Sequence, residues 1–361
     1  MSWKVNRVRG VAAAVALAAA LLPVMAIPAV PASADAHRES LKVVWDGLRI
    51  HPGTPITARG RTPRGQALVA LQVRLPGGWR TFGTTRSAAN GRFAVSGSLD
   101  WYGTHRIRLT TTGQHPIRRF ARVKVRPTYV PRGNRADHAF TDAARGVRYS
   151  FNPCRPIRYA VNTDDVGPDQ LQLVQQGMAQ VSAATGIEVR YVGVSHQIPF
   201  GVEPTRPPLG QDLLIAWATA QEVPALVAPG AVGVGGPVRL REATDGRGRP
   251  VTEIVQSAVA LDSEDLADSA TYSQSYLDTL PTWGEVILHE LGHAFGLDHV
   301  AATDEIMYPD VGAGVYPDGT FRGQYDAGDL AGLAVNGLGQ GCFGPASNRT
   351  LAERQDHPSG W

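Results

Sequence analysis

One stretch constrains this chain more than any other: His289-Glu290-Leu291-Gly292-His293-Ala294-Phe295-Gly296-Leu297-Asp298-His299. Helix signals precede it. Pro281 comes first, Thr282 and Glu285 have the T-x-x-E spacing of a capping box, and Val286, Ile287, Leu288 and Leu291 supply apolar surface to bury. On a helix, positions four apart share one face. His289 and His293 can therefore aim two imidazole nitrogens at one point, roughly 2.0–2.1 Å from a zinc ion. Glu290 lies about 100° further round the helix, within reach of a water on that ion without being forced to ligate. Gly296 lets the chain leave the helix, because glycine takes the left-handed conformation at little cost. The turn then returns His299 as a third ligand. Three nitrogens with one open position is the arrangement of a catalytic zinc rather than a structural one. A surface helix carrying solvated histidines is the competing reading.

Downstream stands Glu305-Ile306-Met307-Tyr308-Pro309. Together the two stretches resemble the metzincin zinc proteases, and H-E-L-G-H-A-F-G-L-D-H followed by M-Y-P is most similar to their matrixin branch. The resemblance implies an α+β fold, a twisted mixed sheet with an active-site helix and flanking helices. It implies one catalytic zinc on His289, His293 and His299, Glu290 as general base, and a protein or peptide substrate. It also implies that Met307 forms an apolar floor beneath the imidazoles without ligating, and that Tyr308 and Pro309 line the pocket beside the scissile bond. Val232, Gly233, Val234 and Gly235 fall where matrixins present an edge strand to extended substrate; a plain flexible loop explains those glycines equally well. Asp298 either anchors the turn or is simply solvated. The chain departs from the matrixin pattern in lacking a His/Asp set for a second, structural zinc, and His196 reads as an ordinary loop histidine. Asp262-Ser263-Glu264-Asp265 invites calcium, but its spacing fits no standard loop and a solvated turn is the simpler reading.

The start of the chain bears on compartment. Lys4, Arg7 and Arg9 precede an Ala/Val/Leu run from Val11 to Val30, and Ala32-Ser33-Ala34 reads as a cleavage site, so residues 1–34 are expected to be a secretory signal peptide. An uncleaved membrane anchor is the rival, opposed by Pro23, Pro28 and Pro31. No later stretch is long and apolar enough to span a bilayer. The expected location is extracellular. Only two cysteines are present, Cys154 and Cys342. In an oxidising compartment a bridge between them would strap the start of the catalytic half to its end. The alternative, suggested by matrixin propeptides, is that Cys154 is a latency thiol on the zinc; the flanking Asn152-Pro153-Cys154-Arg155-Pro156 lacks that motif's Gly and Asp.

The net charge of +3 hides an asymmetry. Residues 41–135 hold 18 Lys/Arg against two acids, Asp46 and Asp100, whereas residues 136–361 hold 13 Arg against 28 acids. The halves should attract each other or address different partners. In residues 41–126, Leu71, Val73 and Leu75 alternate with Gln72 and Arg74, and Ala121, Val123 and Val125 with Arg122 and Lys124. Turn residues such as Asn90-Gly91 separate the runs, so about seven antiparallel strands are expected, a small immunoglobulin-like β-sandwich. Its basic outer face reads either as a solvated surface, as a dock for an anionic cell-wall polymer, or as a pro-domain contact for the acidic half. Nucleic acid is disfavoured because aromatics are not interleaved with the charge along the chain. Residues 127–146 read as a linker, 147–343 as the catalytic domain and 344–361 as a flexible tail. Within the catalytic half, a helix is expected over 169–185 with Leu171, Val174, Met178 and Val181 on its apolar stripe. The functional expectation is a secreted zinc endopeptidase; the alternative is a cell-surface or cell-wall binding protein whose basic β-module dominates and whose metal site is vestigial.

Overall fold

A computed structural model describes residues 42–345, apart from 64, 112–115, 117, 143–147, 202–209, 229 and 268–269. The expected signal peptide, and the expected tail beyond Pro345, lie outside the described residues. Among those described, no helix is long and apolar enough to cross a membrane.

Residues 43–125 form eight strands in two sheets. One sheet has three strands, Val43–Asp46, Ile56–Arg61 and Arg92–Gly97 in that order. The other has five, in the order Arg49–Ile50, Arg118–Val125, Gly103–Thr111, Leu68–Leu75, Gly78–Arg86. Period-two alternation does the work here. Val69 and Leu71 of one sheet pack with Ala58, Phe93 and Val95 of the other, Val73 is buried in the adjoining cluster, and Arg59, Arg74, Arg92 and Ala94 at alternate positions are exposed.

The C-terminal region is built on a seven-stranded mixed sheet. Val189–Val194, Ile157–Asn162, Leu213–Ala218 and Pro250–Asp262 run parallel in that order, and Gly233–Thr244 pairs antiparallel with Pro250–Asp262. Tyr149–Phe151 and Gly344–Pro345 complete it. The parallel strand Leu213–Ala218 is buried at every position, as a strand covered on both faces must be, so its sequence LLIAWA runs apolar without alternating. Helix α1 (Pro168–Thr185) ends at Gly186, which adopts φ 73°. It buries Val174, Met178 and Val181 as expected; Leu173 is buried beside them, while Leu171 only packs against the edge of that core. The short helix α2 (Ser263–Ala267) follows Asp262, whose Oδ1 accepts the N–H groups of Glu264 and Asp265. Asp262 is buried, so the run read as a solvated turn or calcium loop is instead a helix start capped by its own first carboxylate. Helices α3 (Trp283–Ala294) and α4 (Ala327–Asn336) complete the region.

Two expectations need correction. The stretch 127–146 is not a free linker: Tyr129 Oη donates to the Tyr325 carbonyl (2.6 Å), Arg132 reaches Asp326, and Ala139–Phe140 pairs antiparallel with Leu297–Asp298. These contacts run through scattered side chains, single backbone groups and one two-residue bridge, so they leave no periodicity to read. The residues just past 343 are likewise not tail, because Gly344–Pro345 pairs with Ala243–Thr244. The two regions meet where the Tyr102 N–H donates to the Ala183 carbonyl (2.8 Å) and Trp101 lies against Gly186. Cys154 and Cys342 are joined in a disulfide across 188 residues, which leaves no thiol for a latency role.

Candidate metal centre

Thr282 starts α3 by accepting the Glu285 N–H on its Oγ1 (3.2 Å), and Glu285 Oε2 accepts the Thr282 N–H in return (3.0 Å). The helix runs to Ala294, and Gly296 at φ 86° turns the chain out. A side chain at Gly296 would put its Cβ 2.1 Å from the Tyr149 carbonyl oxygen, so glycine is required twice over. The bridge to Ala139–Phe140 then steadies Leu297–Asp298, and Asp298 Oδ1 accepts the His299 N–H (2.8 Å), which anchors the turn.

The result is a trio of imidazoles. Nε2 of His289 lies 3.0 Å from Nε2 of His299 and 3.2 Å from that of His293, and His293 and His299 are 3.1 Å apart. Nδ1 of His289 faces the Ile306 carbonyl (2.7 Å) and Nδ1 of His293 the Leu297 carbonyl (3.1 Å). An acceptor opposite Nδ1 places the proton there and leaves a lone pair on Nε2. Burial holds all three rings below their ordinary pKa, His293 at about 4, and the charge of neighbouring imidazoles adds to it at His289 and His293. Neutral rings with lone pairs converging at this spacing repel one another unless an electron-pair acceptor sits among them. The donor set fits a zinc ion at roughly 2.0–2.1 Å from each nitrogen.

Glu290 is buried beside the trio, and burial pushes its carboxyl up to about 8. It lies against the strand Gly233–Thr244. A Cβ on Gly233 would stand 2.9 Å from Glu290 Oε1, and one on Gly235 would stand 2.3 Å from the Glu290 carbonyl oxygen. The glycines are therefore where strand and helix backbones close on each other. Val232 and Val234 are buried, and Gly233–Pro237 pairs on one side with Ser257–Leu261. Among the described residues no strand pairs with the other side of that stretch.

Met307 is buried, with its sulfur packed on Gly292 one turn along α3, between the two helical histidines. Its segment is held by carboxylates that sequence reading did not single out. Asp329 accepts the N–H groups of Ile306 (2.8 Å), Met307 (3.3 Å) and Asp326 (3.1 Å), while Glu305 accepts those of Gly328 and Asp329 at the start of α4. Burial raises both carboxyls above the usual range, helped at Asp329 by the charge of Glu305 and at Glu305 by that of Asp326. Asp326 in turn receives the Arg132 backbone N–H (2.7 Å) and Nε (3.2 Å), and the Arg132 guanidinium lies 3.5 Å over the Tyr316 ring. The one available signal was Asp326-x-x-Asp329, a capping box at the start of α4. Tyr308 joins His289, Glu285 and Arg132 around a small cavity; Pro309 is exposed and does not line it. His196 is not alone, since its Nδ1 meets the Asp164 carboxylate (2.9 Å) at the surface, far outside any set of three ligands among the described residues.

Residues 251–332, from the central strand to the middle of α4, match the family model described as Matrixin. With that match, the histidine trio resembles a metzincin zinc site, and the two together support a zinc metalloprotease in general. No curated protein matches the chain. Among solved structures it is similar to one titled "Structural insights into a family 39 glycoside hydrolase from the gut symbiont Bacteroides cellulosilyticus WH2", at 14% identity over 49% of this chain and 44% of that one. The TM-score of 0.20 carries no statement about a shared fold.

Proposed function

We propose that this chain is a secreted zinc endopeptidase, with the β-region at 43–125 an immunoglobulin-like sandwich ahead of its catalytic domain. The observation that carries the reading is the convergence of three Nε2 atoms within 3.2 Å beside a buried carboxylate. His289, His293 and His299 hold the zinc, which when bound supplies a Lewis acid for the scissile carbonyl and the attacking water. Glu290 accepts the water's proton on its carboxylate and hands it to the leaving amine. Gly233–Pro237 offers a free strand edge next to Glu290, on which an extended peptide pairs through its backbone. Met307 packs beneath the rings and keeps them from tilting, and Tyr308 stands beside the site.

Export is supported by the apolar run at 11–30 and by the disulfide, a bond that persists in oxidising compartments. The test is zinc analysis of the mature protein together with casein hydrolysis, run beside Glu290→Ala. One zinc per chain with cleavage only by the wild type is the expected result; equal cleavage by the two ends the protease reading. Exported protein should begin at Asp35, as mass spectrometry would show.

A further inference from the structure

The five-stranded sheet of the N-terminal region turns a strongly basic face outward. Alternation sends Arg74, Arg106, Arg108, Arg118, Arg122 and Lys124 to that side, opposite the buried Val73, Ile107, Leu109 and Val123. The only acids between residues 41 and 135 are elsewhere, Asp46 on the three-stranded sheet and Asp100 after its last strand. Register sets Arg106 directly opposite Arg122. Like charges so placed destabilise a sheet, and neighbouring strands bring them within about 4.8 Å of each other's row.

The arginines are also held in place. The Arg108 guanidinium lies 4.2 Å from the Trp79 ring centroid, its Nε donates to Gln72 Oε1 (2.8 Å), and Gln72 Nε2 donates to Thr81 Oγ1 (3.0 Å). Arg106 sits 4.8 Å over Phe120 and 6.0 Å from Trp79, and Arg74 flanks Trp79 at 5.9 Å. Stacking a guanidinium on a ring fixes its plane and leaves its N–H edges directed outward, the geometry that takes an oxyanion through two parallel hydrogen bonds. Behind burial, the charges of Arg118 and Arg74 pull Arg108 below its ordinary pKa, as crowding without a counter-ion would.

We propose that this sheet face binds a linear anionic polysaccharide along the rows of Arg74, Arg106, Arg108 and Arg122. Two observations choose the occupant. Charge complementarity demands a polymer with many closely spaced oxyanions, since six cations on a flat face match no single small ion. Single-stranded nucleic acid gains much of its affinity by stacking bases on open ring faces, and here the guanidinium of Arg108 already covers Trp79.

The test uses full-length mature protein and dextran sulfate, with neutral dextran and a single-stranded oligonucleotide of matched charge as comparisons, titrated at low salt. Arg74→Ser/Arg106→Ser/Arg122→Ser should weaken dextran sulfate binding at least tenfold. Arg59→Ser/Arg61→Ser/Arg92→Ser, which removes the same charge from the outward side of the opposite sheet, should weaken it less than threefold. Casein cleavage should be equal in both variants. Unchanged unfolding midpoints guard against misfolding, and Arg106→Ser alone, expected to weaken binding about threefold, serves if the triple variant does not fold. The proposal is overturned if the two triple variants weaken binding equally, if the wild type does not bind dextran sulfate above dextran, or if the oligonucleotide binds more tightly. Because binding is read without cleavage, the outcome is independent of the proteolytic reading.

Discussion

The two large sheets of this chain answer to different constraints. The five-stranded sheet has one dry face and one wet face, so its strands alternate and its outward positions are free to carry charge. The seven-stranded sheet is covered by helices, and its central strands are buried at nearly every position. Where it meets α3 even a methyl group has no room, because Gly235 leaves only backbone against the Glu290 carbonyl. Tolerance should therefore differ sharply between the regions. A substitution on the outward face of the first touches water, while one beside the metal trio displaces a helix.

The largest expected effect sharpens that contrast at the chemistry. Glu290→Gln keeps the size of the side chain and removes the proton acceptor, so kcat on a peptide should fall about 10²–10⁴-fold while zinc content, measured by atomic absorption, stays the same. Removing the bridge with Cys154→Ala/Cys342→Ala should cost about 2–5 kcal/mol of unfolding free energy in urea, all of it in the C-terminal region. Asp329→Ala strips the acceptor from three backbone N–H groups and should cost about 2–4 kcal/mol; a loss under 0.5 kcal/mol would break the idea that these carboxylates hold the Met307 segment. Gly235→Ala is expected to cost about 1–3 kcal/mol through overpacking, against less than about 0.5 kcal/mol for Arg106→Ser on the outward face.

The smallest effect is one of pH. Burial would raise the Asp245 carboxyl, but hydrogen bonds from Arg249 and Arg247 and the Arg249 charge outweigh it and hold the pKa at about 2. A folded pKa below the unfolded value contributes stability that is present above about pH 4 and is lost as pH falls through about 2. Asp245→Asn should flatten that part of an acid-unfolding curve. With two acids in 41–135, the N-terminal region should supply little of the same dependence.

How much of this was legible follows from distance along the chain. His289, Glu290, His293, Gly296 and His299 lie within eleven residues, so one helix and the turn at Gly296 bring them together, and Thr282 and Glu285 announce where the helix starts. Asp329, Glu305 and Asp326 were unreadable as a set because they join the Met307 segment, α4 and a partner, Arg132, 194 residues upstream of Asp326. Gly233 and Gly235 fitted an edge strand or a flexible loop equally well, since nothing in their own neighbourhood reveals the helix they approach. Trp79 and Phe120 show the same blindness. Aromatics are sparse along the basic strands, yet strand pairing sets these two rings 5.9 Å apart among Arg74, Arg106 and Arg108. Interleaving there runs across the sheet, so the reading that found none along the chain was wrong for the folded surface.

The bond between Cys154 and Cys342 turns residues 154–342 into a closed covalent ring. A single peptide-bond cut anywhere inside that ring releases nothing. The nicked ends remain tethered at high effective concentration, one band persists without reductant, and two fragments separate only once the sulfurs are reduced. An enzyme that cleaves polypeptides in the company of its own copies would thereby survive a first accidental bite.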